Sequence, residues 1–222
     1  MADGHPLDGF KIQRTSTVDQ VADQLRALIL HGDLAPGTPL REISLAESIG
    51  VARNTVREGI RRLQAEGLVE HRIHKGAVVA TLDVQDVREI FEIRRFVEFS
   101  ALERCSQESI AELTAVASDM VALFPEGDAA RLIEADMHFH QVLVDSLGNA
   151  RVSAFFANTL AELRIALCLL EAGDAPIWVP LHVEICQLLA QGDRRGAIKL
   201  LGGHLEETET LLVATVADGP RA

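Results

Sequence analysis

The spacing of apolar residues in the first part of the chain changes in a fixed order, and that order constrains the fold strongly. Three segments carry apolar residues at helical spacing, and a glycine follows each of them: 17–31, 44–49 and 53–66. Ser44 is the expected N-cap of the second segment. Two β-like runs then follow on either side of a glycine-containing turn: 68–72 and 77–82. Residues 17–82 are therefore predicted to form three helices and a β-hairpin.

This order of elements is that of a winged helix-turn-helix, in which the second motif helix enters the major groove of DNA. Arg53, Arg57 and Arg61 are spaced four apart on that helix, so they form a stripe beside its buried face, and Asn54 projects further outward. Arginine can donate two parallel hydrogen bonds to guanine or phosphate, and asparagine can pair with adenine. The alternative is a surface helix with a solvated basic face. Element order, spacing and hairpin together favour DNA binding.

The charge is distributed unevenly, which removes an apparent objection to DNA binding. The net charge is −12, but residues 1–82 contain ten Lys/Arg and ten Asp/Glu, so the acidic excess lies wholly in residues 83–222. Residues 51–75 hold six basic side chains against three acidic ones. Such a local basic patch attracts phosphate in one place while the rest of the protein repels it.

Several short stretches in this region resemble the N-terminal domain of GntR-family regulators: LAPG at 34–37, LAESIGV at 45–51, VRE at 56–58 and LQAEGLV at 63–69. The resemblance covers about residues 17–82. It implies that residues of the recognition helix contact DNA and that the hairpin tip reaches the minor groove or backbone. The predicted DNA-binding residues are Arg53, Asn54, Thr55, Arg57, Arg61, His74, Lys75 and Gly76.

Three residues depart from the family pattern. Ala52 stands where a capping Ser or Thr is usual, which costs ~1 kcal/mol unless Asn54 caps a helix that starts later. Gly59 replaces an alanine in mid-helix, also ~1 kcal/mol unfavourable, and is expected to permit close packing. Ile43 stands where one branch of the family has a DNA-contacting arginine, so the operator sequence is not predicted.

After Asp83 no segment has strand character. Six helices are predicted, which describes an antiparallel bundle: 84–105, 109–124, 129–147, 150–170, 177–191 and 193–215. The fold class is therefore mainly α, with a winged helix-turn-helix followed by an all-helical bundle. The expected organisation is a flexible arm over 1–16, a DNA-binding domain over 17–82, and a metal-binding, effector-binding and dimerisation domain over 83–222.

Four residues of the bundle form a candidate metal site. Asp136 and His140 lie four apart, so they share a helix face, whereas His138 between them is expected at the surface. His182 and His204 lie ten residues before Gly192 and twelve after it, so an antiparallel turn at Gly192 would bring them level. Three imidazoles and a carboxylate suit a divalent metal. The alternative is hydrogen-bonded core or surface histidines.

The bundle also resembles the FCD effector domain of the FadR subfamily of GntR regulators, through EIRRFVE at 92–98, the DxxFH pattern at 136–140 and the segments around Gly148, His182 and His204. The resemblance implies a divalent metal held by Asp136 and the three histidines, with Zn, Ni, Co, Mn and Fe not distinguished. Two open coordination positions would take a small carboxylate or hydroxy-acid. The candidate effector-binding residues are Arg94, Arg95, Asn158 and Arg164. For Arg94 and Arg95 a surface salt bridge is the alternative.

The leading hypothesis is a homodimeric transcription repressor that binds a palindromic operator on double-stranded DNA under the control of an organic acid. One alternative is a metal-dependent hydrolase, which is disfavoured because the sequence has no His-Glu-x-x-His and Glu184 should point away from the metal. The other is a regulator with a purely structural metal. The protein is therefore not expected to be an enzyme.

The location of the protein follows from what its sequence lacks. It has no apolar run near the ~20 residues needed to span a bilayer, and its N-terminus lacks the pattern of a secretory signal. Cys105, Cys168 and Cys186 are expected to be free thiols in a reducing compartment. We expect a cytoplasmic protein with no membrane partner.

Overall fold

A computed structural model describes residues 16–123, 129–167 and 178–218. Its helices and strands are α1 (Thr17–Leu30), α2 (Glu42–Ile49), α3 (Arg53–Ala65), β1 (Val69–Arg72), β2 (Gly76–Val79), α4 (Val84–Arg104), α5 (Gln107–Leu123), α6 (Ala129–Asp145), α7 (Ala150–Leu167), α8 (Trp178–Ala190) and α9 (Arg194–Asp218). The predicted fold class is confirmed: the molecule is mainly helical, with a small antiparallel sheet after the third helix.

The first core lies between α1, α2, α3 and the hairpin. Val56 and Leu63 of α3 are fully buried in it, together with Leu68 and Val79 at the base of the hairpin. The strands pair from Val69 opposite Val79 to Arg72 opposite Gly76, so each is shorter than predicted, and the second begins one residue earlier. This arrangement leaves the opposite face of α3 open to solvent.

The starts of the three N-terminal helices differ from one another. Ser16 caps α1 in a capping box with Asp19. The prediction of Ser44 as an N-cap is wrong, because α2 already begins at Glu42 and Arg41 holds the cap position without a side-chain hydrogen bond. α3 begins at Arg53 with Ala52 as its uncapped N-cap, so a later start capped by Asn54 is also wrong.

Gly59 brings α1 and α3 into close contact, as expected. A β-carbon built at this position would lie 3.0 Å from Val21 Cγ1 and 3.4 Å from the backbone nitrogen of Ala22. These distances are at or below ordinary van der Waals separation, so alanine here would crowd α1. The missing side chain is therefore a packing feature of the winged domain.

The second core lies in the six-helix bundle. α4 packs on α9, α5 packs on both α6 and α8, and α8 packs on α9. Asp83 caps α4 in a second capping box, with Asp86 as its partner.

Some of the sequence predictions fall outside the described residues: the N-terminal residues 1–15, the breaks at 125–127 and 173–176, and Cys168. Cys105 and Cys186 are buried free thiols. No helix in the described part of the chain is long and apolar enough to cross a membrane.

The two cores meet at α7. Ile165 is buried with the residues of the winged core, and Ala161 packs against the same cluster. Beside them, Arg164 is buried and its Nε donates a 3.2 Å hydrogen bond to the carbonyl of Leu30, the last residue of α1. Most of α7 faces the bundle, so a single helix is shared between the two cores.

Candidate metal centre and nucleic-acid interface

The structure brings Asp136, His140, His182 and His204 together in the interior of the bundle. All four are buried, and one potential ligand atom from each lies within 4.8 Å of the others. His182 Nε2 lies 3.2 Å from Asp136 Oδ1, and His204 Nε2 lies 3.9 Å from the same oxygen. His140 Nε2 lies 3.6 Å from Asp136 Oδ2. Each of the three imidazoles therefore has a ring nitrogen within 4 Å of the carboxylate.

Helix geometry explains this convergence. Asp136 and His140 are one turn apart on α6, so their side chains point in the same direction, while His138 is exposed. Gly192, in the left-handed region with φ of 79°, lies in the turn between α8 and α9. The antiparallel pair that results places His182 and His204 level, as the spacing predicted.

A buried ion pair supports the cluster from α4, and sequence reasoning did not identify it. His140 Nδ1 lies 2.6 Å from Glu98 Oε2, and Arg94 Nε donates a 2.7 Å hydrogen bond to Glu98 Oε1. Arg94 and Glu98 are almost fully buried. A carboxylate on the second nitrogen of a metal-ligating histidine fixes its tautomer and its ring orientation. Glu98 thus orients His140 with Nε2 toward the cluster.

Electrostatics hold two members of the cluster, Asp136 and His204, in the forms that a metal site requires. Burial alone would raise the pKa of Glu98, but Arg94 and His140 outweigh it and lower that pKa to about 2. Burial would also raise the pKa of Asp136, yet His140 and His182 hold it well below its usual range. Burial lowers the pKa of His204 to about 3 against an opposing contribution from Asp136, with smaller lowering contributions from His140 and His182. An ionised carboxylate and a neutral imidazole are the forms that bind a metal. At His140 burial would lower the pKa, but Glu98 and Asp136 raise it, so a cation there must displace a more tightly held proton.

Asp136 Oδ1 and His140 Nε2 are among the buried polar atoms that make no hydrogen bond in the described part of the molecule. Unsatisfied buried polar atoms are costly, and a cation between them would remove that cost. The donor set of three nitrogens and one carboxylate suits zinc and several other divalent transition metals. The residues therefore fit a divalent ion.

Five of the eight predicted DNA-contacting residues line a concavity between α2, α3 and the hairpin. It has a volume of about 670 Å³, and its lining includes Arg53, Arg57, Arg61, Lys75 and Gly76. Asn54 is exposed near the start of α3 and Thr55 is half-buried. His74 is exposed at the tip of the hairpin, where a φ of 67° forms the tight turn. Helix and hairpin thus present basic side chains on one side of the domain.

An acidic residue lies within this basic surface, and sequence reasoning did not identify it. Glu42 Oε2 accepts hydrogen bonds from Arg57 Nη2 at 2.9 Å and Arg53 Nε at 2.8 Å, while Oε1 accepts one from Arg57 Nε at 3.0 Å. The bonds from Arg57, and then those from Arg53, lower the pKa of Glu42 to about 2. Because α2 was expected to begin at Ser44, Glu42 was not placed in a helix facing α3.

Comparison with known families agrees with both halves of this description. Residues 17–79 match the family described as bacterial regulatory proteins, gntR family, and residues 89–207 match the FCD domain. The chain belongs to the GntR family and carries an FCD domain. This confirms the family expected from the two sets of sequence motifs.

Relatives of this GntR-family protein are transcription regulators. The HTH-type transcriptional regulator YdhC of Bacillus subtilis (strain 168) is 30% identical over 145 residues, which span 63% of this chain and 65% of YdhC. The probable D-xylose utilization operon transcriptional repressor of Paenarthrobacter nicotinovorans is 28% identical over 200 residues, covering 88% of each chain. The solved structure of a transcriptional regulator GntR from Rhodococcus sp. RHA1 is 26% identical, with a TM-score of 0.79 over 89% of this chain and 97% of that one.

The four candidate effector-binding residues occupy different environments. Arg94 borders the cluster through Glu98, and its Nη2 has no hydrogen-bond partner among the described residues. Arg95 instead forms a salt bridge with Glu209 of α9, the alternative considered from the sequence. Asn158 is exposed, and Arg164 hydrogen-bonds to α1 at the domain junction. Of the four, Arg94 is the one that the structure ties to the cluster.

Proposed function

We propose that this chain is a transcription repressor that binds a palindromic operator as a homodimer. In this proposal Asp136, His140, His182 and His204 hold a divalent metal, and a small carboxylate or hydroxy-acid bound there controls operator affinity. The observation that carries the proposal is the convergence of the four side chains, with ligand atoms within 4.8 Å of one another, in a chain whose other domain belongs to a DNA-binding family.

The chemistry of the cluster supports an acid as the effector. A bound divalent ion would supply a Lewis-acid centre that coordinates carboxylate and hydroxyl oxygens. Arg94 would add a buried guanidinium whose Nη2 is not engaged by described residues. The net charge of −12 disfavours anions at long range, so local positive charge must provide the attraction.

Contacts of α6 and α7 support a connection to the winged domain. Gln141 is adjacent to the proposed ligand His140, and its Nε2 donates a 3.3 Å hydrogen bond to the carbonyl of Ser153 on α7. The other end of α7 carries Arg164, which bonds to the end of α1. A shift of α6 on ligand binding would therefore be carried through α7 to the DNA-binding domain.

Physical reasoning and one relative support the dimeric repressor. A single winged domain contacts few base pairs, so specificity requires two. The Paenarthrobacter relative is named as a repressor.

The metal-dependent hydrolase receives no comparable support. Glu98 is the buried carboxylate next to the cluster, but Arg94 and His140 already engage both of its oxygens. It is therefore not available as a general base for a metal-bound water. Glu184, two residues after His182, is exposed. We accordingly propose a binding function for the cluster.

The test begins with an operator selected by the purified protein from a pool of random duplexes. A panel of di- and hydroxy-acids is then titrated while operator binding is followed, with and without a chelator. We expect one class of acid to change operator affinity about 5–150-fold, and the operator to change acid affinity by the same factor. If an acid binds the metal-loaded protein but none alters operator affinity, the metal is structural. If an acid acts equally on His182→Ala, the effector binds elsewhere.

A second experiment tests the DNA interface directly. A dimer that neutralises 6–10 phosphates should lose roughly 10³–10⁵ in operator affinity between 50 and 200 mM salt. Arg57→Ala should weaken specific binding by about 1–3 kcal/mol. A flat salt response, or full binding by the Arg53→Ala/Arg57→Ala double variant, would contradict the assignment of α3.

A further inference from the structure

The position of Glu42 is unusual because a carboxylate in a DNA-facing surface opposes phosphate binding. Its side chain is 25% exposed and lines the same concavity as the basic residues of α3 and the hairpin. Its pKa of about 2 means that the negative charge is present at any pH at which the protein would bind DNA. A residue that weakens general attraction for DNA must contribute something else to binding.

The hydrogen-bond pattern indicates what that contribution is. Glu42 engages Arg57 through Nε and Nη2, which form one edge of the guanidinium group. An arginine has a second edge, formed by its two terminal nitrogens, and that edge matches the O6 and N7 acceptors of guanine. A carboxylate on the first edge therefore fixes the plane of the group without occupying the second edge.

Glu42 also limits the freedom of a second side chain. Its Oε2 accepts a bond from Arg53 Nε at 2.8 Å, so one carboxylate holds two arginines one helical turn apart. The exposed fractions are 56% for Arg53 and 37% for Arg57, so both remain accessible while restrained. Ordering long side chains before binding removes an entropic cost that would otherwise be incurred on DNA.

We propose that Glu42 is a positioning residue that sets sequence discrimination by orienting Arg57, and with it Arg53, for base contact. The proposal rests on the proposed operator binding. Glu42 should lower affinity for DNA in general and raise the ratio of specific to non-specific affinity. That combination separates it from a residue that merely stabilises the domain.

The experiment compares two duplexes: one selected from a random pool by the wild-type protein, and a shuffled duplex of the same length and composition. Glu42→Gln removes the charge with little change in shape. We expect it to bind the shuffled duplex more tightly, with a salt dependence steeper by about one phosphate, because the arginines become free to pair with phosphates. The ratio of selected to shuffled affinity should fall about tenfold.

Two further variants separate geometry from charge. Glu42→Asp keeps the charge but is one methylene shorter, so the ratio should fall while affinity for the shuffled duplex and its salt dependence stay near wild type. Glu58→Gln removes the same charge from α3, where Glu58 pairs with Arg61 in an exposed salt bridge. It should raise affinity for both duplexes alike and leave their ratio unchanged. Thermal unfolding of each variant verifies that the domain is folded.

The outcomes are distinct. An unchanged ratio of selected to shuffled affinity in Glu42→Gln overturns the positioning role. An equal fall of this ratio in Glu42→Gln and Glu58→Gln shows an effect of charge alone, which also overturns the role. If the wild-type protein selects no sequence from the pool, the proposed operator function fails and this proposal fails with it. The proposal is supported if the ratio of selected to shuffled affinity falls in both Glu42 variants and stays at the wild-type value in Glu58→Gln.

Discussion

Arg164 on α7 donates a 3.2 Å hydrogen bond from Nε to the carbonyl of Leu30, across the junction of the two cores. Leu30 is the last residue of α1, so the guanidinium also lies at the negative end of that helix dipole. Ile165 adds an apolar contact with the winged core at the same place. The two domains are thus held together by specific contacts as well as by the chain.

Removing this bond should destabilise the protein. Arg164→Met keeps much of the apolar stem but removes the donor, and we expect the free energy of unfolding to fall by about 1.5–3 kcal/mol, as for other hydrogen bonds to charged groups. Urea unfolding followed by circular dichroism measures the change. Arg151→Met is the matched control on α7, because Arg151 is exposed, and it should stay within about 0.5 kcal/mol of wild type. Equal effects of both variants would contradict a specific role for Arg164.

The metal content of two neighbouring histidine variants should differ sharply. We expect about one divalent ion per chain in the wild-type protein, much less in His140→Ala, and a wild-type amount in His138→Ala. His140 is buried in the cluster, whereas His138 lies on the same helix and is exposed. Mass spectrometry of metals in the purified proteins provides the measurement. Full occupancy in His140→Ala would show that it is not a ligand.

Glu98 should influence metal affinity without being a ligand. Glu98→Gln removes the charge that holds His140 Nδ1, and we expect metal affinity to fall about 10–100-fold, as for other groups that orient a ligand. The change also leaves Arg94 buried without its counter-ion, so stability should fall by about 3–5 kcal/mol. Competition with a chelator measures the first effect and urea unfolding the second. Glu92→Gln, at an exposed position of α4, should change neither.

The contact between Gly59 and Val21 should appear as an energetic coupling. Gly59→Ala gains about 1 kcal/mol of helix propensity but crowds Val21 Cγ1, at a cost of about 1–3 kcal/mol, so we expect net destabilisation. In a Val21→Ala background the same change should be stabilising. A double-mutant cycle then gives a coupling of about 0.5–3 kcal/mol. If Gly59→Ala stabilises the wild-type protein by the full helix-propensity gain, the contact with Val21 does not oppose a side chain at this position.

Local signals predicted much of this molecule. The order of helices and hairpin followed from apolar spacing and glycines, and the convergence of His182 and His204 followed from their distances to Gly192. Each of these features depends on residues close in sequence or on the simple geometry of a helix pair. They could therefore be derived before any tertiary contact was known.

The groups that support the two sites could not be predicted in this way. Arg94 and Glu98 are four apart on a helix, a spacing that also occurs in exposed salt bridges, and only the packing of α4 against α6 and α9 buries them. Glu42 was missed because α2 begins two residues before the expected cap, Ser44, and no capping side chain marks its true start. The role of Arg164 at the domain junction could not be predicted, because its partner, Leu30, is 134 residues away in sequence.

The glycine contact has a consequence for how an effector signal would reach DNA. The close approach of α1 and α3 at Gly59 favours movement of the two helices as one body. A displacement of the end of α1 would therefore rotate the winged domain, including α3, as a rigid unit. In the proposed dimer, such a turn would alter the distance between the two recognition helices and leave the shape of each unchanged. The protein would then leave the operator because the distance between its two recognition helices no longer matches the half-site spacing, although each helix could still make its own base contacts.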